Sequence, residues 1–306
     1  MSRAVLVTGA TGNQGGSVVD ALFKANAGLE ILALTRKKNS PRAQSLREKY
    51  PTIKLVEGDL SDVPGIFKNA MTVASQGIWG VFLVPVMVPT RSKHDVEEQQ
   101  SKAVIDAAVQ NNVKHFVYTS VDRGGDDSIH NPTDVPHFAT KHNIEKYLLD
   151  KTQVSGMNYV ILRPTCFFDN FTPGFAGKLV NTCWKVALKD KPLQLVAVSD
   201  IGFFGAQAFL HPEEYTARCI SLAGDEITFE EMARIYKART GEDIPMTFGF
   251  LAHLLMFMVK DVGNMYRWFY KNGYKADIHM LKKVYPELKD FGTWLEKDTK
   301  MIKKPF

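Results

Sequence analysis

The sequence predicts an α/β protein: a doubly wound parallel sheet followed by a smaller, mainly helical C-terminal region. Three observations predict it. A β-branched run at residues 4–8 turns through a glycine loop into a stretch of helical spacing. Short apolar runs and helical stretches then alternate as far as residue 164. Beyond Arg163-Pro164 that alternation stops. Strands that read as continuous apolar runs, separated by helices, belong to a parallel sheet covered on both faces and joined by right-handed crossovers.

Taken in order, the strands are expected at 4–8, 30–35, 53–57, 80–84, 115–119 and 159–162. Between them, apolar residues recur at helical spacing over 17–24, 43–49, 63–74, 97–110 and 138–151. This order describes a Rossmann-type sheet, whose ligand crevice lies at the C-terminal ends of its strands. After Pro164, two phenylalanines, Asn170 and Pro173-Gly174 break regularity. A helix is then expected at 178–188, a strand at 193–198, and a helix over 212–222 that returns to the sheet. From Thr228 onward the pattern reads as helices and loops. The division that follows is a nucleotide-binding domain over 1–164, rejoined by about 193–225, and a C-terminal substrate or partner region over 165–306.

Composition excludes several classes. A chain of 306 residues with 45% hydrophobic and 23% charged residues can bury a large core. Its net charge of +5 is mild, and Lys282, Lys283, Lys303 and Lys304 read as a solvated face rather than a surface for direct nucleic-acid binding. Cys166, Cys183 and Cys219 lack metal-ligand spacing, so they read as reduced thiols with no metal site. The glycine loop begins too early for a signal peptide, and the apolar stretch 246–259 is too short to span a bilayer. A cytoplasmic or nuclear protein that enters no membrane is the expectation; the oligomeric state stays open.

The loop Gly9-Ala10-Thr11-Gly12-Asn13-Gln14-Gly15 carries the strongest chemical signal. A strand must turn sharply into a helix while backbone N–H groups approach a pyrophosphate, and glycines permit both the angles and the approach. Thr8 and Thr11 are further donors; the bland alternative is a simple βα turn. At the end of the second strand an NAD site wants a carboxylate for the ribose 2′-hydroxyl. Arg36 and Lys37 stand there instead, a basic pair suited to the 2′-phosphate of NADP(H). A surface cluster capping the strand is the alternative. Asp59, before Leu60, is placed either to reach the adenine amino group or to cap the next helix.

Gly9 to Gly16, Thr35-Arg36, Glu57-Gly-Asp59 and Ser199-Asp-Ile-Gly202 together resemble the NmrA-like family. The resemblance extends through His137-Phe-Ala-Thr-Lys141, Cys166-Phe-Phe-Asp-Asn170, Ala276-Asp-Ile and Thr293-Trp-Leu, nearly the whole chain. These are atypical short-chain dehydrogenase/reductase proteins that include transcriptional co-regulators and NADPH sensors. The resemblance implies that NADP(H) contacts Gly9 to Gln14, Arg36, Asp59, Leu60, Leu83, Val84, Pro85, Lys141, Thr165, Cys166, Phe167 and Phe168.

One departure from the wider dehydrogenase pattern matters. Those enzymes use Tyr-x-x-x-Lys after the fifth strand and a serine at that strand's end. Here the pair is His137 and Lys141, one helical turn apart, and Thr119-Ser120 ends the strand, so a catalytic set of Lys141, His137 and Ser120 is conceivable. His137 can act as a general acid near neutral pH. Alternatively Lys141 acts alone, as in related benzylic ether and isoflavone reductases, or His137 merely starts a helix and bonds a loop carbonyl. Cys166 reads as an apolar contact more readily than as a redox thiol. The aromatic and methionine run 248–270 reads as a pocket wall, helix core or partner groove, and 124–127 as a mobile loop. Two functions remain: an oxidoreductase acting on an apolar carbonyl or quinone-like small molecule, or a redox sensor whose cofactor occupancy regulates a protein partner.

Overall fold

The computed structural model describes residues 3–85, 91–171 and 173–301, so Lys303 and Lys304 lie outside the described residues. Strands and helices alternate first: β1 (Ala4–Val7), α1 (Asn13–Ala25), β2 (Glu30–Thr35), α2 (Pro41–Lys49), β3 (Lys54–Glu57) and α3 (Val63–Val73). They continue with β4 (Ile78–Leu83), α4 (Arg91–Gln110), β5 (His115–Thr119), α5 (Pro136–Ser155) and β6 (Asn158–Pro164). Next come β7 (Cys166–Phe167), α6 (Phe175–Leu188), β8 (Leu193–Val196), α7 (Val198–Leu210), α8 (Pro212–Tyr215), β9 (Arg218–Leu222) and β10 (Asp225–Ile227). Helices α9 (Phe229–Thr240), α10 (Gly249–Met258), α11 (Lys260–Lys271), α12 (Ile278–Val284) and α13 (Phe291–Lys297) follow.

By contact the chain divides into two compact units. The first comprises Met1–Ser120, Thr140–Arg163 and Ile201–Ile220. Its sheet has the order β3-β2-β1-β4-β5-β6-β9, with β1 to β6 paired parallel. Strand order reverses between β1 and β4, which opens a crevice at their C-terminal ends. Val5, Leu6 and Val7 of β1 and Val81, Phe82 and Leu83 of β4 are fully buried, as central strands covered on both faces must be.

The second unit comprises Val121–Ala139, Pro164–Asp200 and Ser221–Phe306. A small sheet, β10-β8-β7, joins a core rich in aromatic rings, among them Phe168, Trp184, Trp268, Phe291 and Trp294. Asp122 is wholly buried and accepts hydrogen bonds from the backbone N–H groups of Gly125 (2.8 Å) and Lys275 (3.0 Å) and from the Ser221 hydroxyl (2.6 Å). Lys289 Nζ meets Asp200 Oδ1 at 2.9 Å, and the same carboxylate accepts the Lys289 N–H.

Several expectations need correction. The helix foreseen over 212–222 is a single turn, α8, followed by strand β9. Ala217 takes a positive φ of 62° and donates its N–H to Tyr159 O, which turns the chain alongside β6. Helix α7 was not expected, since Gly202 and Gly205 lower helix propensity. They serve packing, because a Cβ on Gly202 would lie 2.6 Å from the Ser17 backbone of α1. The strand at 193–196 pairs with β7 and β10 in the second unit's sheet. In place of a mobile loop at 124–127 there is a 3-10 turn, Gly125–Ile129, held by Asp122. The run 248–270 divides: Trp268 and Phe269 are core, whereas Phe248, Phe250 and Phe257 are exposed. Among the described residues no helix is long and apolar enough to cross a membrane, and no group of three metal-ligating side chains assembles.

Candidate functional site

The glycine loop joins β1 to α1 as its spacing demands. Gly9 has a φ of +60° and bends the chain out of the strand. A Cβ on Gly15 would sit 2.4 Å from Gly9 O and 2.5 Å from Thr8 O, so only glycine lets the helix lie this close to the strand. Gly12 is the N-cap of α1 and gives no side-chain cap, and the first turn holds no acidic residue. The free N–H groups and the helix dipole there favour an anion. Thr8 fastens the loop to β4 by accepting the Val84 N–H at 2.9 Å. The Gln14 side-chain amide oxygen, Oε1, accepts from Thr119 Oγ1 at 2.8 Å.

Above this loop, within the first unit, lies a cleft of about 410 Å³. Gly9, Thr11 and Gly12 form one side; Leu34, Thr35 and Arg36 come from the end of β2, and Gly58, Asp59 and Leu60 follow β3. Val84 from the end of β4, Arg42 from α2 and Gln100 from α4 complete it. Two guanidiniums thus face one cleft that begins at a helix N-terminus, a donor set for a phosphate ester beside a pyrophosphate. Apolar Leu34, Leu60 and Val84 suit a flat aromatic base. The residues present fit NADP(H).

The expected residues do not all meet there. Lys37 is not among the lining; its carbonyl accepts from Thr35 Oγ1 and from the Ser40 N–H. Asp59 bonds the Ser61 N–H (3.0 Å) and hydroxyl (2.7 Å), and these bonds, with the Arg36 charge, hold its carboxyl below the usual range. Asp62, not Asp59, caps α3. Ala10 and Leu83 are fully buried and can offer a ligand only backbone. In the second unit, Thr165 bonds Leu222 O, and Phe168 is buried against Phe291 and Trp294, so its ring belongs to the core. The half-buried Cys166 thiol is pushed up to about 11 by desolvation, which disfavours the thiolate at neutral pH. Arg42 and Gln100 were missed, because each lies inside a polar helical stretch with nothing to single it out.

Lys141 is buried, and its Nζ bonds Glu97 Oε1 at 2.8 Å. Ser120 is buried and its N–H donates to Leu162 O, which continues the strand pairing past β5. His137 bonds Asp261 Oδ1 through Nδ1 at 2.7 Å and packs edge-on to Phe138. The Asp261 carboxylate therefore helps to orient that ring.

A family model for the NmrA-like family matches residues 1–295. The chain is 29% identical over 259 residues to the NmrA-like family domain-containing oxidoreductase ptmS of Penicillium ochrochloron, covering 78% of this chain and 74% of that one. It is 26% identical over 242 residues to quinone oxidoreductase 2 of Escherichia coli, covering 78% and 76%. The crystal structure of that NADPH-dependent quinone oxidoreductase complexed with NADPH superposes with a TM-score of 0.71, at 20% identity, over 96% of this chain and 98% of the other. The negative transcriptional regulator NmrA superposes with a TM-score of 0.64, at 16% identity, over 97% and 95%.

Proposed function

The chain belongs to the NmrA-like family, and from that premise we propose that it is an NADPH-dependent oxidoreductase acting on an apolar carbonyl or quinone-like small molecule. The observation that carries the reading is the cleft in which Arg36 and Arg42 face the uncapped start of α1. Its relatives named as oxidoreductases, one of them a quinone oxidoreductase, support the reaction class. Bound NADPH would supply a hydride, and reduction to the alcohol or hydroquinone then needs one proton from the protein or solvent.

This chain's residues have separable roles in that reading. Arg36 and Arg42 bind the 2′-phosphate, the α1 N-terminus binds the pyrophosphate, and Lys141 anchors the nicotinamide ribose. His137, oriented by Asp261, stands where the wider dehydrogenases place tyrosine and is the candidate proton donor, with Ser120 as a further polar contact.

The second reading is a redox sensor that regulates a protein partner. The exposed aromatic residues of α10 and its flank favour it: Phe248 is 71% and Phe257 83% exposed. NADPH consumption over a panel of quinones and apolar carbonyls separates the two. Wild type is expected to turn over and Lys141→Met to lose activity, since the ribose anchor disappears. His137→Tyr is expected to retain or gain carbonyl reduction. No wild-type turnover across the panel, together with NADPH-dependent binding of a protein partner, overturns the enzyme reading. Robust turnover that survives Lys141→Met overturns the role given to that lysine.

A further inference from the structure

Among the described residues, helices α4 and α5 carry several acidic side chains whose oxygens are satisfied. Glu98 uses one oxygen for Lys102 and the other for Asn143. Both oxygens of Asp106 accept from Tyr147, and Lys151 pairs with it as well. Glu145 holds Arg163 with both oxygens. Glu97 departs from this pattern. Its side chain is 1% exposed, Oε1 meets Lys141 Nζ at 2.8 Å, and Oε2 is buried without a hydrogen-bond partner among the described residues.

A buried carboxylate oxygen left bare is costly, and such a group in a native protein calls for an explanation, of which an absent ligand is one. Lys141 is incomplete too: an ammonium has three donors, and among the described residues Glu97 Oε1 alone accepts from this one. An unmet acceptor therefore lies beside unmet donors. A carbonyl can satisfy only the lysine, whereas a hydroxyl donates to one and accepts from the other. Gln100, three residues along α4 and on the same face as Glu97, lines the nucleotide cleft.

We propose that Glu97 is a cofactor-binding residue: Oε1 holds the Lys141 ammonium, and Oε2 accepts a hydrogen bond from a hydroxyl of the cofactor's nicotinamide ribose. The inference rests on the NADPH reading above and deepens it. It separates Glu97 from the structural pairs along the same helices, whose carboxylate oxygens each already accept a hydrogen bond.

The test is a titration of wild type, Glu97→Gln and Glu97→Asp with NADPH and with 2′,5′-ADP, alongside thermal melting. The smaller ligand carries the adenine half and the 2′-phosphate but no nicotinamide ribose. Wild type is expected to bind NADPH more tightly than 2′,5′-ADP. Glu97→Gln should weaken NADPH roughly tenfold or more and leave 2′,5′-ADP unchanged within about twofold. Glu97→Asp keeps the charge, withdraws Oε2 by one methylene, and should show the same selectivity if the glutamine variant does not fold. An NADPH analogue with acetyl in place of the carboxamide should depend on Glu97 just as NADPH does.

Unchanged NADPH affinity in a folded variant overturns the proposal, and so does equal weakening of both ligands, the mark of a purely structural pair. Loss of Glu97 dependence with the acetyl analogue moves the contact to the carboxamide and overturns the ribose assignment. Wild type that binds NADPH no more tightly than 2′,5′-ADP overturns it without any variant. Wild type that binds neither ligand overturns the nucleotide reading itself.

Discussion

Arg36 and Arg42 reach one cleft from different elements, the end of β2 and the first turn of α2. Their separation in sequence means that neither predicts the other, yet two guanidiniums lining one cleft form a donor set suited to a phosphate ester. Arg36→Ala is expected to weaken NADPH by about 1.5–3 kcal/mol, the range for a hydrogen bond to a charged group, and to leave NADH nearly unchanged. Arg42→Ala should show the same selectivity. Calorimetry with both cofactors checks this, and equal losses for NADPH and NADH would show that these arginines do not read the 2′-phosphate. Arg36 was legible because a strand end is a marked place in this fold. Arg42 and Glu97 were not, because a polar residue in a helical stretch looks the same whether it faces water or a ligand.

At the scale of the element, the β1–loop–α1 unit is nearly self-specifying. Its three glycines have three physical reasons: the positive φ of Gly9, the place of Gly12 in the cleft, and the close approach of Gly15 to the Thr8 and Gly9 backbone. Gly12→Val places a branched side chain where the pyrophosphate must approach the backbone. The expected outcome is a folded protein, by circular dichroism and melting temperature, that no longer binds NADPH in a fluorescence titration. Retained binding would place the pyrophosphate elsewhere. Strand β9 shows the opposite case. Its run Arg218-Cys-Ile-Ser-Leu is short and follows a helix start at Pro212, and its place beside β6, entered through the Ala217 bond to Tyr159, makes it a strand. Edge strands are decided by the neighbour they meet, so periodicity alone misassigned it.

At the scale of the whole molecule, the buried side chains set the response to acid. His115 of β5 is fully buried, stacked on Trp79 at 5.5 Å and edge-on to Phe209, and desolvation lowers its pKa to about 4. Between that value and the ordinary 6.5 the unfolded chain binds a proton that the folded chain does not. Stability is therefore complete above the higher value and falls as pH drops toward the lower one, by roughly 3 kcal/mol at most. Urea unfolding at pH 7 and pH 5 should show this loss in wild type and a flatter profile in His115→Phe; identical profiles would show that His115 does not titrate in that window. The sequence by itself determined the parallel α/β order, the glycine loop and a basic residue at the end of the second strand where an NAD site wants a carboxylate, because these depend on neighbours in the chain and on strand ends. Only the tertiary structure decided which distant side chains share a site. Arg42 with Arg36, Glu97 with Lys141 and Asp261 with His137 are brought together by packing, and packing contacts between remote residues leave no period or spacing in the chain.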